Sequence, residues 1–408
     1  MNKPIVFEKP QGVRDFLPGI AKRKREIERN IADCYASWGY QEVITPTFEY
    51  METFQNGLRG EEDRVFKFIE RSGKTVVLRP DMTTPIARVV ASLLRDEPLP
   101  LRLSYNANIF RQQEFVAGRD AEFTQAGVEL IGDGSPDADA EMIALAVTTL
   151  RSLGVQDFRL ALGQVGFVNG ILAEHVADHE LADRMRFVLA DKNYVGFEHL
   201  VAQVDDTRAR EVLLHIPQLR GGLDVLQRAR ALTTHETALQ ALGNLEEIWE
   251  ILVLYGVEQW VQIDLGLVLG LNYYTGAIFE GYAPQIGFPL CGGGRYDDLL
   301  EKFGRSLPAT GFMIGIERVL EVLERKGNQK GAARHLLYYL PRDRHISLGF
   351  AAYLRRQGYT VTTQRILDLP ENEQGDGAII CRLENGRLET EDEAVRIHYD
   401  AFLEQQVH

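Results

Sequence analysis

Gly266-Leu267-Val268-Leu269-Gly270-Leu271-Asn272-Tyr273-Tyr274-Thr275-Gly276-Ala277-Ile278-Phe279-Glu280 is the stretch around which this 408-residue chain is organised. Val261, Ile263, Leu265 and Leu267 alternate with their neighbours, which predicts a one-sided strand over 261–268. Two adjacent tyrosines then stand between glycines, and a second strand begins at Ala277. A phenol joins a rigid apolar ring to one hydrogen-bonding tip, so two of them beside a glycine-permitted turn make the wall of a small polar pocket. Taken alone, the simpler reading is a glycine-bounded β-hairpin carrying core tyrosines.

The composition sets the class. With 45% hydrophobic and 25% charged residues, the chain is expected to be soluble and globular, long enough for two or three domains. A formal charge of −14 argues against a protein whose main role is gripping nucleic acid, because neutralising phosphate needs a basic face. Cys34, Cys291 and Cys381 are far apart, odd in number and without Cys-x-x-Cys spacing; they predict buried free thiols in a reducing cytoplasm. No signal-like apolar region occurs at the N-terminus and no run of 18 apolar residues anywhere, so neither a signal peptide nor a membrane span is expected.

Working outward, Ile20, Ile27, Ile31, Cys34, Tyr35 and Trp38 recur at helical spacing until Gly39, and a strand over 40–44 ends at Thr45-Pro46. Residues 65–68 and 74–78 predict a strand pair around Ser72-Gly73, followed by Leu78-Arg79-Pro80-Asp81-Met82-Thr83 and a helix from Thr84. Asp81 and Thr83 fit equally well as caps of that helix. A strand over 101–106 leads to Phe110-Arg111-Gln112-Gln113, a loop, and Phe123-Thr124-Gln125-Ala126-Gly127-Val128-Glu129, whose alternation puts Gln125 and Glu129 on one strand face. A buried glutamate requires a donor, which an imidazole N–H or a structural salt bridge supplies. Ser135-Pro136-Asp137 has the form of a helix cap with proline at the first position. The region 167–256 is almost entirely helical in pattern; His175 and His179 stand four apart on one predicted helix with no third ligand, so no metal is expected. Gly292-Gly293-Gly294-Arg295-Tyr296-Asp297 reads as a glycine-rich turn for close packing, since it lacks the Lys-Ser/Thr of a phosphate loop.

These segments together resemble the class II aminoacyl-tRNA synthetases, and among them the histidyl-tRNA synthetase family, over about residues 12–323. The helix, strand and proline of residues 20–46 are similar to motif 1, which builds the family's dimer interface. Residues 108–132 resemble motif 2, and Gly311-Phe312-Met313-Ile314-Gly315-Ile316-Glu317-Arg318 resembles motif 3. The resemblance implies an α+β fold over 1–325: a class II antiparallel sheet flanked by helices, with a helical insertion over about 167–256. A linker over 326–334 and a small degenerate anticodon-binding-like α/β domain over 335–408 would follow. It further implies a histidine pocket walled in part by Tyr273: Glu129 and Tyr274 at the imidazole, Asp81, Thr83 and Gln125 around the α-ammonium, and Arg111 at the carboxylate. Arg111 and Arg318 stand where the family grips ATP and would be a nucleotide-binding remnant.

The departures are as informative. The family's second histidine motif reads Arg-Gly-Leu-Asp-Tyr-Tyr, and here Leu269 and Asn272 replace its arginine and aspartate. Gln113 stands for an adenine-contacting glutamate, Glu114-Phe115 for Arg-Pro, and Ala121 for a loop arginine. From Gly331 onward there are nine arginines, no lysine and twelve carboxylates, the wrong sign for a tRNA clamp. A kept pocket with a lost catalytic arginine is similar to the family branch formed by the regulatory subunits of ATP phosphoribosyltransferase. That likeness implies a chain with no catalytic residue and no cofactor, self-dimerising through the class II core and partnered by the short-form catalytic subunit. Histidine would be its effector, and tRNA and membrane would not be partners. The alternatives are a divergent histidyl-tRNA synthetase and a free-standing histidine sensor with another partner.

Overall fold

The computed structural model describes residues 8–54, 65–112, 120–270, 273–325, 334–367 and 378–406. They fall into two compact units divided between Lys326 and Gly327. The expected linker lies outside the described residues, except Arg334, which already begins a strand.

In the first unit the strands are β1 (Gln41–Glu42), β2 (Phe48–Tyr50), β3 (Lys67–Ile69), β4 (Thr75–Leu78), β5 (Leu101–Phe110), β6 (Glu122–Ile131), β7 (Arg159–Gln164), β8 (Arg220–Gly221), β9 (Val261–Asp264), β10 (Ala277–Tyr282), β11 (Cys291–Arg295) and β12 (Ala309–Gly315). Nine form one sheet in the order β1-β5-β6-β12-β11-β10-β7-β9-β8, and β2-β4-β3 form a small antiparallel one. From β5 to β7 every neighbour is antiparallel; the parallel pairs, β1 with β5 and β7 with β9, stand towards the two edges. This is the α+β class II architecture.

The opening stretch departs from expectation in two ways. The strand expected over 261–268 ends at Asp264, because the Asp264 carboxylate accepts from Gly266 N (3.1 Å) and its carbonyl from Leu267 N (3.2 Å), turning the chain. Nor do the flanking strands make a hairpin: β9 and β10 both pair with β7, which lies between them. Likewise Gly292, Gly293 and Gly294 are strand, not turn, since the triplet lies inside β11.

One face of the large sheet is covered by the helices Pro18–Ser37 and Pro136–Ser152, whose Ile27, Ile31, Ile143 and Leu150 join Val128, Leu160 and Phe312 in one apolar core. Pro136 opens its helix, but Ser135 does not cap it: its hydroxyl donates instead to Asp133 at 2.6 Å. Between β7 and β9 the insertion comprises helices Val165–His175, His179–Ala190, Tyr194–Val201, Thr207–His215, Asp224–Arg230 and Glu236–Tyr255. His175 ends the first and His179 begins the second, which Asp178 caps, so the two histidines do not share a helix. The last and first of these helices approach closely: a Cβ on Gly170 would stand 2.8 Å from Ala238 Cβ. Leu242, Leu245 and Ile248 of the long helix Glu236–Tyr255 belong to the same core as Ile143 and Leu150.

The second unit is a four-stranded sheet of β13 (Arg334–Tyr339), β14 (Thr360–Arg365), β15 (Ala378–Glu384) and β16 (Arg387–Thr390), ordered β14-β13-β15-β16, with helices Arg344–Arg356 and Glu393–Gln406. The turn between β15 and β16 carries positive φ at both Asn385 and Gly386, as a two-residue hairpin of matching twist requires. Leu337, Phe350, Leu354, Leu383 and Phe402 form its own core.

Candidate functional site

The central strands of the large sheet form the floor of a cavity of about 160 Å³. Pairing of β6 with β5 and β12 sets Gly127 opposite Tyr105 and Gly311 opposite Glu129. Glycine is required at both places: a Cβ on Gly311 would lie 1.9 Å from Glu129 Oε2, and one on Gly127 would lie 2.4 Å from the Tyr105 hydroxyl. The floor is therefore open where side chains are missing, and the rim supplies the chemistry.

Asp81, Thr83, Arg111, Gln125, Glu129, Tyr273 and Tyr274 all line this cavity. Glu129 is at the centre and 2% exposed. Thr83 donates to its Oε1 at 2.9 Å, and the Tyr296 hydroxyl donates to its Oε2. Burial pushes the carboxyl up to about 8, against the pull of the Tyr296 and Thr83 hydrogen bonds and with a small push from Asp81. Removal of a carboxylate from water disfavours its charge more than two hydroxyl donors restore it.

The tyrosines extend this network. The rings of Tyr273 and Tyr274 lie 4.9 Å apart at 51°, and Tyr296 meets Tyr273 edge-on at 5.8 Å. Burial raises all three phenols above the ordinary tyrosine range, so they stay protonated hydrogen-bond donors. Gln125 is buried, and its amide has no hydrogen-bond partner among the described residues. Asp81 accepts from Thr84 N at 2.8 Å, so it does cap the following helix while also bordering the cavity. Arg111 is anchored through Nε to the Pro80 carbonyl (2.7 Å) and lies over the Phe123 ring, leaving its terminal nitrogens without a partner among the described residues.

Arg318 is placed elsewhere. It donates to the Pro289 carbonyl and lies over Phe288, and it is not among the residues lining the cavity. Leu269, at the position of the family's arginine, lines the cavity with an apolar side chain. Asn272, Gln113, Glu114 and Phe115 lie outside the described residues.

Sequence reading overlooks Tyr296, Tyr105 and Glu280, all of which line the cavity. Tyr296 stands within the Gly-Gly-Arg-Tyr-Asp segment, where the glycines draw attention to packing. Its neighbour Arg295 is structural. Buried, it holds Asp139 at 3.0 Å, Asp297 at 3.2 Å and the carbonyls of Asp133 and Ser135. The thiols are free as expected, although Cys34 is only half-buried. Among the described residues no cluster of three metal-type ligands occurs, and no helix is long and apolar enough to cross a membrane.

A pocket that offers a buried carboxyl, an unpaired amide, a row of phenols and one guanidinium suits a small zwitterion with a polar ring. A family model of histidyl-tRNA synthetase matches residues 12–319. A protein of Halalkalibacterium halodurans named ATP phosphoribosyltransferase regulatory subunit is 42% identical over 365 residues, which are 89% of this chain and 92% of that one. A crystal structure of an ATP phosphoribosyltransferase regulatory subunit/histidyl-tRNA synthetase from Bacillus halodurans matches with a TM-score of 0.82 at 42% identity, over 89% of this chain and 94% of its own. Histidyl-tRNA synthetase from Nostoc sp. shares the fold at 19% identity and a TM-score of 0.80, over 98% of this chain and 99% of its own.

Proposed function

We propose, from the premise that this chain belongs to the histidyl-tRNA synthetase-like family and within it to the ATP phosphoribosyltransferase regulatory subunits, that it regulates a partner and catalyses nothing itself. The partner is the short-form catalytic subunit of ATP phosphoribosyltransferase, which joins ATP to phosphoribosyl pyrophosphate in histidine biosynthesis. This chain activates that subunit and brings feedback inhibition by histidine, as a dimer formed through its class II core, without tRNA. The carrying observation is the pairing of a complete polar pocket around Glu129 with Leu269 in place of a guanidinium.

Histidine would place its imidazole against Glu129 and Tyr274, its ammonium near Asp81, Thr83 and Gln125, and its carboxylate on the terminal nitrogens of Arg111. Adenylate formation needs positive charge where the α-phosphate becomes more negative, and losing one such donor costs ~10²–10³ in rate. Binding inhibits the partner only if histidine favours one conformation of the complex over another.

The test is reconstitution with the short catalytic subunit. Turnover should rise on mixing and fall as histidine is added. Glu129→Ala should keep the activation and weaken histidine binding by roughly ten-fold to more than a hundred-fold, because the imidazole N–H draws the carboxyl, neutral in the empty pocket, into its charged form and the variant loses that charge-assisted hydrogen bond. An unchanged inhibition curve in that variant places the effector elsewhere. No complex at micromolar concentration by gel filtration removes the partner assignment.

A further inference from the structure

A second cavity, of about 270 Å³, lies between the helical insertion and the outer strands of the large sheet. It shares a wall with the first: Gly266, Leu267 and Val268 line it, while the next residues, Leu269 and Gly270, line the other. Glu280 and Tyr282, on one face of β10, divide in the same way, the carboxylate lining the first cavity and the phenol the second.

The hydrogen-bonding capacity left inside it is one-sided. Lys192 donates to Glu280 Oε2 at 2.9 Å and to the Tyr282 hydroxyl, which itself donates to Glu280; one ammonium proton remains. Arg220 holds Asp264 through Nε at 3.0 Å and donates through Nη2 to Tyr194, leaving Nη1 without a partner among the described residues. Tyr194, having accepted, keeps its own proton to give. The acceptors are engaged: Asp264 takes Gly266 N on one oxygen and Arg220 on the other, and Glu280 Oε2 takes two donors. Apart from Gln262, an exposed carboxamide that can both give and accept, the spare side-chain groups are N–H and O–H, two of them cationic, and an acceptor from solution would complete them.

We propose that this cavity binds a small anionic group, a carboxylate or a phosphate, held by Lys192, Arg220 and Tyr194. Asp264 and Glu280 already balance the two cations, so a singly charged group is favoured over a doubly charged one. Its occupant would sit behind the wall of the first pocket, separated by one loop.

Lys192 reports occupancy directly, because its side chain is 45% exposed and open to an amine-reactive ester. The full-length chain is labelled in acetate, in inorganic phosphate, and in chloride at matched ionic strength, with Lys22, a surface lysine, as internal reference. Labelling at Lys192, read by mass spectrometry, should slow several-fold in acetate or phosphate while Lys22 is unaffected. Protection by both anions assigns a carboxylate-type site, and by phosphate alone a phosphoryl site. Arg220→Gln should abolish the protection. Because that change leaves the half-shielded Asp264 without its cation, Tyr194→Phe serves as the milder variant, in which protection should weaken with the fold intact. Equal labelling of Lys192 in all three salts overturns the proposal, as does protection unchanged in both variants.

Discussion

Replacing Glu129 by glutamine should change how the stability of this protein depends on pH, by an amount that the burial of that carboxyl sets. In the folded chain the group titrates at about 8 against a reference of 4.5. A carboxyl whose pKa is raised on folding is protonated in the folded state while already ionised in the unfolded one. Its contribution to stability is full below about pH 4.5 and is lost as pH climbs to about 8, at about 1.4 kcal/mol per unit. Between pH 5 and pH 8 the wild-type protein should therefore lose about 4 kcal/mol that Glu129→Gln keeps. The amide is nearly isosteric, and its oxygen can still accept from Thr83 or Tyr296. Urea denaturation of both proteins at unit steps of pH supplies the comparison. Trp38, Trp249 and Trp260 all lie in the first unit, so tryptophan fluorescence follows the unfolding of the unit that carries Glu129. Subtracting the variant's curve removes every other titrating group common to both. Two stability profiles that run parallel from pH 5 to pH 8 would refute the reasoning, and with it the idea that the pocket holds a neutral carboxyl.

Further outcomes follow from other contacts. Arg295→Met leaves Asp139 buried without its cation, and should destabilise the protein by ~3–5 kcal/mol, read as a fall in the urea midpoint; a shift under ~1 kcal/mol means water has replaced the guanidinium. Gly311→Ala puts a methyl into the floor of the pocket against Glu129, so calorimetry should detect no histidine binding, with ~1–3 kcal/mol of overpacking strain; normal binding would show that the floor yields. Histidine-dependent exchange of pyrophosphate into ATP should be absent, and exchange at a synthetase rate would restore the divergent-synthetase reading.

Much of the scaffold is legible in the sequence because its signals are local. The two long central strands, the phenols at positions 273 and 274 and the asparagine-glycine turn near the end depend on periodicity and on backbone sterics within a few residues. What escapes reading is set by partners far along the chain. That β7 separates β9 from β10 depends on the completed sheet, so a hairpin is the natural but mistaken inference. That Tyr296 donates to Glu129 depends on two residues 167 apart in the chain meeting across the pocket. Ser135 and the His175/His179 pair show the same limit at short range, where one neighbouring aspartate in each case redirects what spacing alone implies.

The position of the helix Glu236–Tyr255 bears on how this family can vary in length. Its Leu242, Leu245 and Ile248 complete the core begun by Ile143 and Leu150, and Ala238 lies against Gly170. The first and last helices of the insertion are thus keystones of the sheet's helical layer, and excising the whole segment would open the core beneath it. Tolerance for shortening, lengthening or exchange should be greater in the helices between residues 179 and 230, provided that their own core residues, Met185, Phe197, Leu213 and Leu226, find equivalents and both keystones stay in place. A chimaera that swaps only that middle portion should fold, whereas one cut at β7 and β9 should not.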